Sequence, residues 1–247
     1  MALTPHQISL MREGGHRLGK VKGELGKFTQ VGMSFAEVEA EAQRLIKAAD
    51  AKPNFAMVPG YHWATCIMRN DEVCHGIPSA QKHVEDGDLI TIDVGLLYQG
   101  VQLDTTTSFI AGTAKPSVEK FLEVGKRSLA NAIAAAVPGN SVYDISLAME
   151  TPVLKAGCGL VYQLTGHGIG LELHEDPMIP CFANKRDKKH KLFEGQTLAI
   201  EVMYTMGKPD LQVGADGWTY STIDGSLAGM IEETVLVTAN GPEILTR

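Results

Sequence analysis

The sequence predicts an α+β fold of two pseudo-symmetric halves in one domain, residues 1–247, with an internal repeat of roughly 1–115 and 116–247. Three observations predict it. Helix-type patterns and strand-type runs follow the order helix, helix, strand, strand, and that order recurs. Two segments repeat at nearly one offset. Gly87-Asp-Leu-Ile-Thr-Ile-Asp93-Val resembles Gly195-Gln-Thr-Leu-Ala-Ile-Glu201-Val, 108 residues on, and Gly32-Met-Ser34 resembles Gly139-Asn-Ser141, 107 residues on. Finally, an acid interrupts an apolar strand run at the matching place in each half, Asp93 and Glu201. No Pro/Ser-rich linker separates the halves.

The elements follow in order. Thr4-Pro5 is a helix start, a hydroxyl cap before proline at the first helical position, and Ile8, Met11, Leu18 and Val21 follow at helical spacing. Ser34-Phe-Ala-Glu37 is a capping box for a second helix with Val38, Ala42, Leu45 and Ile46 on one face. Leu89–Leu97 and Val101–Ile110 have strand character. In the second half, Ser117 is expected to cap a helix through about Val137. Ser141-Val-Tyr-Asp144 starts another, which Pro152 should end or kink. Strands are expected at Thr197–Thr205 and Met230–Thr238.

Composition narrows the function. A chain of 247 residues with 44% hydrophobic content buries a substantial core. A net charge of −7 gives no global basic footprint for nucleic acid. The N-terminal stretch has no apolar signal-peptide core, and no apolar run reaches the roughly 18–20 residues that span a membrane. Cys66, Cys74, Cys158 and Cys181 form no CxxC pair, which fits free thiols in a reducing cytoplasm.

The strand acids are the chemical anomaly, because carboxylates are depleted in strand interiors and need partners when buried. A hairpin folded about Tyr98-Gln-Gly100 sets Asp93 opposite Asp104. In the second half, a fold about Asp216-Gly217 sets Glu201 opposite Glu232. Any one such acid reads most simply as solvent-facing, but four in repeat-related pairs do not. A shared-proton dyad needs two of them, whereas a divalent cation pair neutralises all four. Oxygen ligands joined by imidazole suit Mn, Fe, Co or Zn, and oxygen alone suits Mg or Ca.

His167 and His174 sit seven residues apart in LTGHGIGLELHEDP. Gly166, Gly168 and Gly170 make a helix improbable, and a flat strand would point the two rings to opposite faces. Both reach one site only if the glycines permit a bend or bulge. The spacing is not HExxH, which removes the zincin reading. His75, in Val-Cys-His-Gly-Ile-Pro, is a third candidate.

Together NDEVCHGIP (70–78), GDLITIDVGLLYQGVQLDTTTSF (87–109), LTGHGIGLELHEDP (164–177), LAIEVM (198–203) and IEETVLVTANGPEILT (231–246) resemble the type I methionine aminopeptidases of the pita-bread metallopeptidase superfamily. The resemblance covers nearly the whole chain. It implies a pita-bread fold, a curved antiparallel sheet covered by helices, and removal of N-terminal methionine through a metal-bridging hydroxide. It implies two divalent metal ions (Co, Mn, Fe or Zn) held by Asp93, Asp104, His167, Glu201 and Glu232, with Asp104 and Glu232 bridging. His174 would support the tetrahedral intermediate, His75 would contact substrate, and Glu201 would double as proton shuttle.

Tyr61, Cys66 and Trp218 fall where the family lines its methionine pocket. The Gly60–Cys66 segment is about three residues shorter than is usual, Trp63 is a candidate for a missing tyrosine, and Leu173 stands where phenylalanine is common. The alternatives are a divergent aminopeptidase with another N-terminal or Xaa-Pro specificity, and a non-catalytic peptide-binding protein on the same fold. The implied partners are N-termini of nascent proteins or peptides, with transient ribosome contact, no membrane and a monomeric chain in the cytoplasm. The basic run Lys185–Lys191 reads as a solvated loop.

Overall fold

A computed structural model describes residues 3–247. Helices α1 (Pro5–Phe28) and α2 (Phe35–Ala48) open the chain. Both start on capping boxes. The Thr4 and Ser34 hydroxyls accept from the Gln7 and Glu37 N–H groups at 3.2 and 3.3 Å, and the Gln7 and Glu37 side chains accept in return. Each cap is worth about 1 kcal/mol. Strands β1 (Thr65–Arg69) and β2 (Glu72–Cys74) precede the hairpin of β3 (Leu89–Tyr98) and β4 (Val101–Ile110).

The second half opens on α3 (Pro116–Ala134) and α4 (Val142–Lys155). Short strands β5 (Gly159–Leu160), β6 (Thr165–Gly168) and β7 (Glu175–Pro180) lead to β8 (Thr197–Thr205). An excursion carrying β9 (Leu211–Val213) and β10 (Tyr220–Thr222) separates β8 from β11 (Ala228–Thr238), and β12 (Gly241–Ile244) folds back on β11.

Two local expectations change, and at Pro152 one of the two expected outcomes is removed. Helix α3 starts at Pro116, with Lys115 and not Ser117 at its cap position, because proline's fixed φ suits the first helical residue. Pro152 does not end α4, which runs on to Lys155. It costs the helix one i→i−4 bond, the one to the Ala148 carbonyl, and the helix stops three residues later, with Gly157 at φ +75° beyond its cap. The β3–β4 register is shifted from the expected one: Asp93 faces Thr106, and Asp104 faces Gly95. The turn is Gln99-Gly100, both at positive φ (47° and 90°), the geometry that matches strand twist in a two-residue hairpin.

The main sheet is antiparallel, ordered β1-β3-β4-β11-β8-β6-β7, with β12 on β11 and β5 on β8, and a small sheet β2-β10-β9 lies apart. The halves meet along β4 and β11, whose ladder is the pair Thr106↔Glu232. Helix α1 packs over β3 and β4, and α3 packs over β8 and β11. Ile90, Ile92, Val94 and Leu96 of β3 enter the core under α1 and α2, and Leu198, Ile200, Val202 and Tyr204 of β8 enter the core under α3 and α4. Strand alternation therefore turns Asp93 and Glu201 to the opposite face. The architecture is the mixed helix-and-sheet class expected. Among the described residues, no helix is long and apolar enough to cross a membrane.

Candidate metal centre and active site

Four successive ladder pairs draw one row across five strands. They are Cys66↔Asp93, Asp93↔Thr106, Thr106↔Glu232 and Glu232↔Glu201. Asp104 lies two residues from Thr106 along β4, hence on the same face. His167 faces Ala199, two residues from Glu201. Pairing thus assembles four acids and an imidazole from both halves on one face of the sheet.

All of them are buried. Ligand atoms of Asp104, His167 and Glu232 lie within 4.8 Å of one another. His167 Nε2 is 4.0 Å from Glu201 Oε1. Thr106 Oγ1 lies 3.0 Å from Asp93 Oδ1 and 2.9 Å from Glu232 Oε2, and its single proton satisfies one of them. Asp104 Oδ1 and Glu232 Oε1 are buried without any hydrogen-bond partner. Orphaned acceptors of this kind are costly unless something absent from the protein atoms meets them. A cation meets all of these requirements, so the residues present fit a divalent metal site.

The protonation chemistry agrees. Burial pushes Asp93 up to about 6. It also raises Asp104 and Glu232 well above the carboxylate range, with Glu232 adding to the rise at Asp104 and Asp93 adding to that at Glu232. Glu201 rises for the same reasons, burial first and then Glu232 and Asp93. Burial lowers His167 to about 4, so its ring is neutral at pH 7. His167 Nδ1 sits 2.9 Å from the Gly168 carbonyl, which assigns the proton to Nδ1 and leaves the Nε2 lone pair facing the acids.

The glycines around His167 have a geometric task. The β6–β7 ladder shifts register between Gly166 and Gly168. A Cβ on Gly166 would sit 2.6 Å from the Ala199 carbonyl oxygen, so the close approach of β6 to β8 requires glycine. The distortion brings both rings to one place: the His167 and His174 centroids are 4.5 Å apart, edge to face. Burial lowers His174 as well. His75 adopts φ +55°, a conformation uncommon for a non-glycine residue, and its ring packs against Tyr220 and Trp218 at 5.7 and 6.5 Å. Burial, and then His174, lower its pKa.

A cavity of about 310 Å³ opens directly on this row. Tyr61, Cys66, Trp218, Leu173, His75 and His174 line it, beside all five acids and imidazoles of the cluster. Every site residue expected from sequence is therefore at one place. Trp63 is not: it packs on Tyr61 at 5.2 Å but does not line the cavity, where Phe55 and Val58 stand instead. Sequence reasoning missed these two, and it missed Thr106. Alternation from Asp104 carried a signal for Thr106, since every second residue of β4 shares a face.

The reverse face also supports the row. Lys22 of α1 pairs with Glu233 at 2.8 Å and donates to Thr105 Oγ1 at 3.0 Å. Thr105 in turn donates to the Glu232 carbonyl at 2.9 Å, and Thr234 donates to the Asp104 carbonyl at 2.7 Å. The backbone on either side of the β4–β11 junction is held by side chains facing the helices.

Comparison with known proteins agrees with this geometry. A methionine aminopeptidase of Clostridium acetobutylicum is 37% identical over 240 residues, covering 97% of this chain and 96% of the relative. The crystal structure of a methionine aminopeptidase from Thermotoga maritima superposes with a TM-score of 0.97 at 35% identity, covering 100% of this chain and 99% of that one. A prolidase from Pyrococcus furiosus shares the fold at a TM-score of 0.79 and 26% identity, with this chain covering 65% of it. The description "Metallopeptidase family M24" matches residues 9–239. A match of that extent, on a chain whose strands converge their acids on one face, makes this protein a member of metallopeptidase family M24.

Proposed function

We propose that this chain is a methionine aminopeptidase, releasing methionine from the N-termini of peptides and proteins. The observation that carries the proposal is the junction of the acid row with a cavity lined by Cys66, the first residue of that same row. A pocket for one side chain directly beside the metal-capable cluster suits hydrolysis next to a terminal residue. Relatives bearing that name, similar over nearly the full length, support it.

Asp93, Asp104, His167, Glu201 and Glu232 would hold two divalent ions, and the mixed oxygen and imidazole set suits Co, Mn, Fe or Zn. When bound, the ions supply Lewis acidity, lowering the pKa of water and polarising the scissile carbonyl. The chain's own groups do the rest. Neutral His174 donates an N–H to the carbonyl oxygen as negative charge develops there. Glu201 takes a proton from the attacking water and passes it to the leaving amine. His75 holds the substrate backbone at the cavity mouth. Tyr61, Trp218, Cys66 and Leu173 enclose the methionine side chain and exclude water from it. The enzyme acts as a monomeric single domain of two duplicated halves, in the cytoplasm, on N-termini as they leave the ribosome.

The test is a peptide-library assay with each metal in turn. Release of methionine from Met-Ala and Met-Gly peptides is expected, lost on chelation and reduced at least about 10²-fold by His174→Ala with metal content retained. Hydrolysis of Xaa-Pro but not Met-Ala peptides would overturn the proposal.

A further inference from the structure

The inner face of α2 carries one acid among its apolar residues. Phe35, Val38, Glu39, Ala42 and Ile46 are all buried. Glu39 is 5% exposed, and no lysine, arginine or histidine among the described residues pairs with it. Hydrogen bonds alone satisfy its carboxylate. Oε1 accepts from the Ala64 N–H at 2.8 Å and from Gln43 Nε2 at 2.7 Å. Oε2 accepts from the Thr65 N–H at 3.0 Å and the Thr65 hydroxyl at 2.6 Å.

A buried carboxylate is a poor device for stability alone, since a well-packed apolar residue does as well. Its directional bonds are what an apolar residue lacks. They grip the peptide units that lead into the pocket. The Thr65 residue held by Glu39 offers its carbonyl to the Tyr61 hydroxyl at 2.8 Å. Tyr61 then meets Trp218 edge-on at 5.1 Å. The next residue, Cys66, lines the cavity and faces Asp93 across the ladder. A chain of contacts therefore runs from Glu39 through Thr65 to Tyr61, Trp218 and Cys66. Tyr61, Trp218 and Cys66 are part of the cavity wall outside the acid cluster, and Glu39 and Thr65 stand behind them.

We propose that Glu39 is a positioning residue for substrate selection, fixing the shape of the terminal-residue pocket from behind without touching substrate. The inference rests on the methionine aminopeptidase reading for the identity of that residue. In Glu39→Gln the side chain presents an NH₂ where a carboxylate oxygen met backbone N–H groups. One of the Ala64 and Thr65 amides then faces a donor, and the 61–66 segment must shift.

The experiment compares wild type, Glu39→Gln and Thr65→Val on peptides beginning with methionine, norleucine and leucine. It records kcat and KM separately, together with metal affinity by calorimetry. Glu39→Gln is expected to raise KM for the methionyl peptide about tenfold, with a smaller change in kcat. Its preference for methionine over leucine should fall by a similar factor, while metal affinity stays within about twofold. Thr65→Val, which removes one of the four bonds, is expected to shift the preference the same way by less. A folded Glu39→Gln protein with unchanged preference would overturn the proposal. If that variant does not fold, unchanged preference in Thr65→Val would overturn it. A wild-type enzyme with no methionine preference would instead sink the functional reading, so the two failures are distinguishable.

Discussion

The two halves share a frame and differ in what hangs on it. In each, a capping box opens the second helix, at Ser34 and at Ser141. In each, the same backbone clasp ties that helix start to the segment entering the inner strand. Gly32 and Phe35 N–H groups donate to the Val84 and Lys82 carbonyls, and Gly139 and Val142 donate to those of Leu192 and His190. Beyond the frame the halves part. The inner strands of the first half join by the Gln99-Gly100 turn, whereas those of the second are split by an excursion carrying β9, β10 and Trp218. The strand flanking the first inner pair gives Cys66 to the cavity, and its counterpart gives His167 to the cluster. Glu39 on α2 corresponds to Ser146 on α4, whose hydroxyl is buried and unpartnered. The shared frame supplies carboxylates from both halves, and the departures from symmetry add Cys66 from one half and Trp218 and His167 from the other to the same cavity.

Three measurements break or sharpen that comparison. The largest effect concerns the junction. Glu232 lies at the seam with an orphaned oxygen, and Asp93 lies one strand further out. Glu232→Ala is expected to lower kcat/KM by about 10³-fold or more and to lower metal content measured by mass spectrometry, with Asp93→Asn falling short of that. Equal losses would remove the distinction between seam and flank. Next is the metal's effect on stability. In their ionised forms Asp93, Asp104, Glu201 and Glu232 repel one another, and a cation relieves this in place of protons. Adding Mn(II) or Co(II) to chelator-treated protein should therefore raise Tm by about 5–10 °C near saturation, read by calorimetry. No shift would mean that the two halves' acids are neutralised without metal. The smallest effect is Ser146→Ala, which removes a buried hydroxyl that has no partner. It should raise stability by about 1 kcal/mol, a Tm gain of about 2–4 °C, with substrate preference unchanged. A loss of preference there would erase the contrast with Glu39.

How much of this was legible in the sequence follows from which forces are local. Acids inside apolar strands are visible because the violation is local, and Asp93 and Glu201 stand out on that basis alone. The partner of Asp93 is less legible, because register depends on which two residues form the turn. Centring the hairpin one residue early puts Asp104 opposite Asp93 in place of Thr106. Glu201 and Glu232 do face each other, but an excursion of that length constrains register weakly, and the pairing comes from the strands themselves. His167 and His174 could be joined only by supposing a bend, and the Gly166–Gly168 distortion is that bend. Glu39 falls on the apolar stripe of α2, a visible violation like Asp93. What it grips is invisible in sequence, because Ala64 and Thr65 meet it only once α2 has docked against β1.

The seam has a consequence for biogenesis. Thr106↔Glu232 is where the two halves' ladders meet, and the buried cluster divides across it, Asp93 and Asp104 on one side and His167, Glu201 and Glu232 on the other. With β11 undocked from β4, the acids stand in two separate groups and the row from Cys66 to Glu201 is not formed. Assembly of the complete acid row therefore requires β11 to be docked on β4.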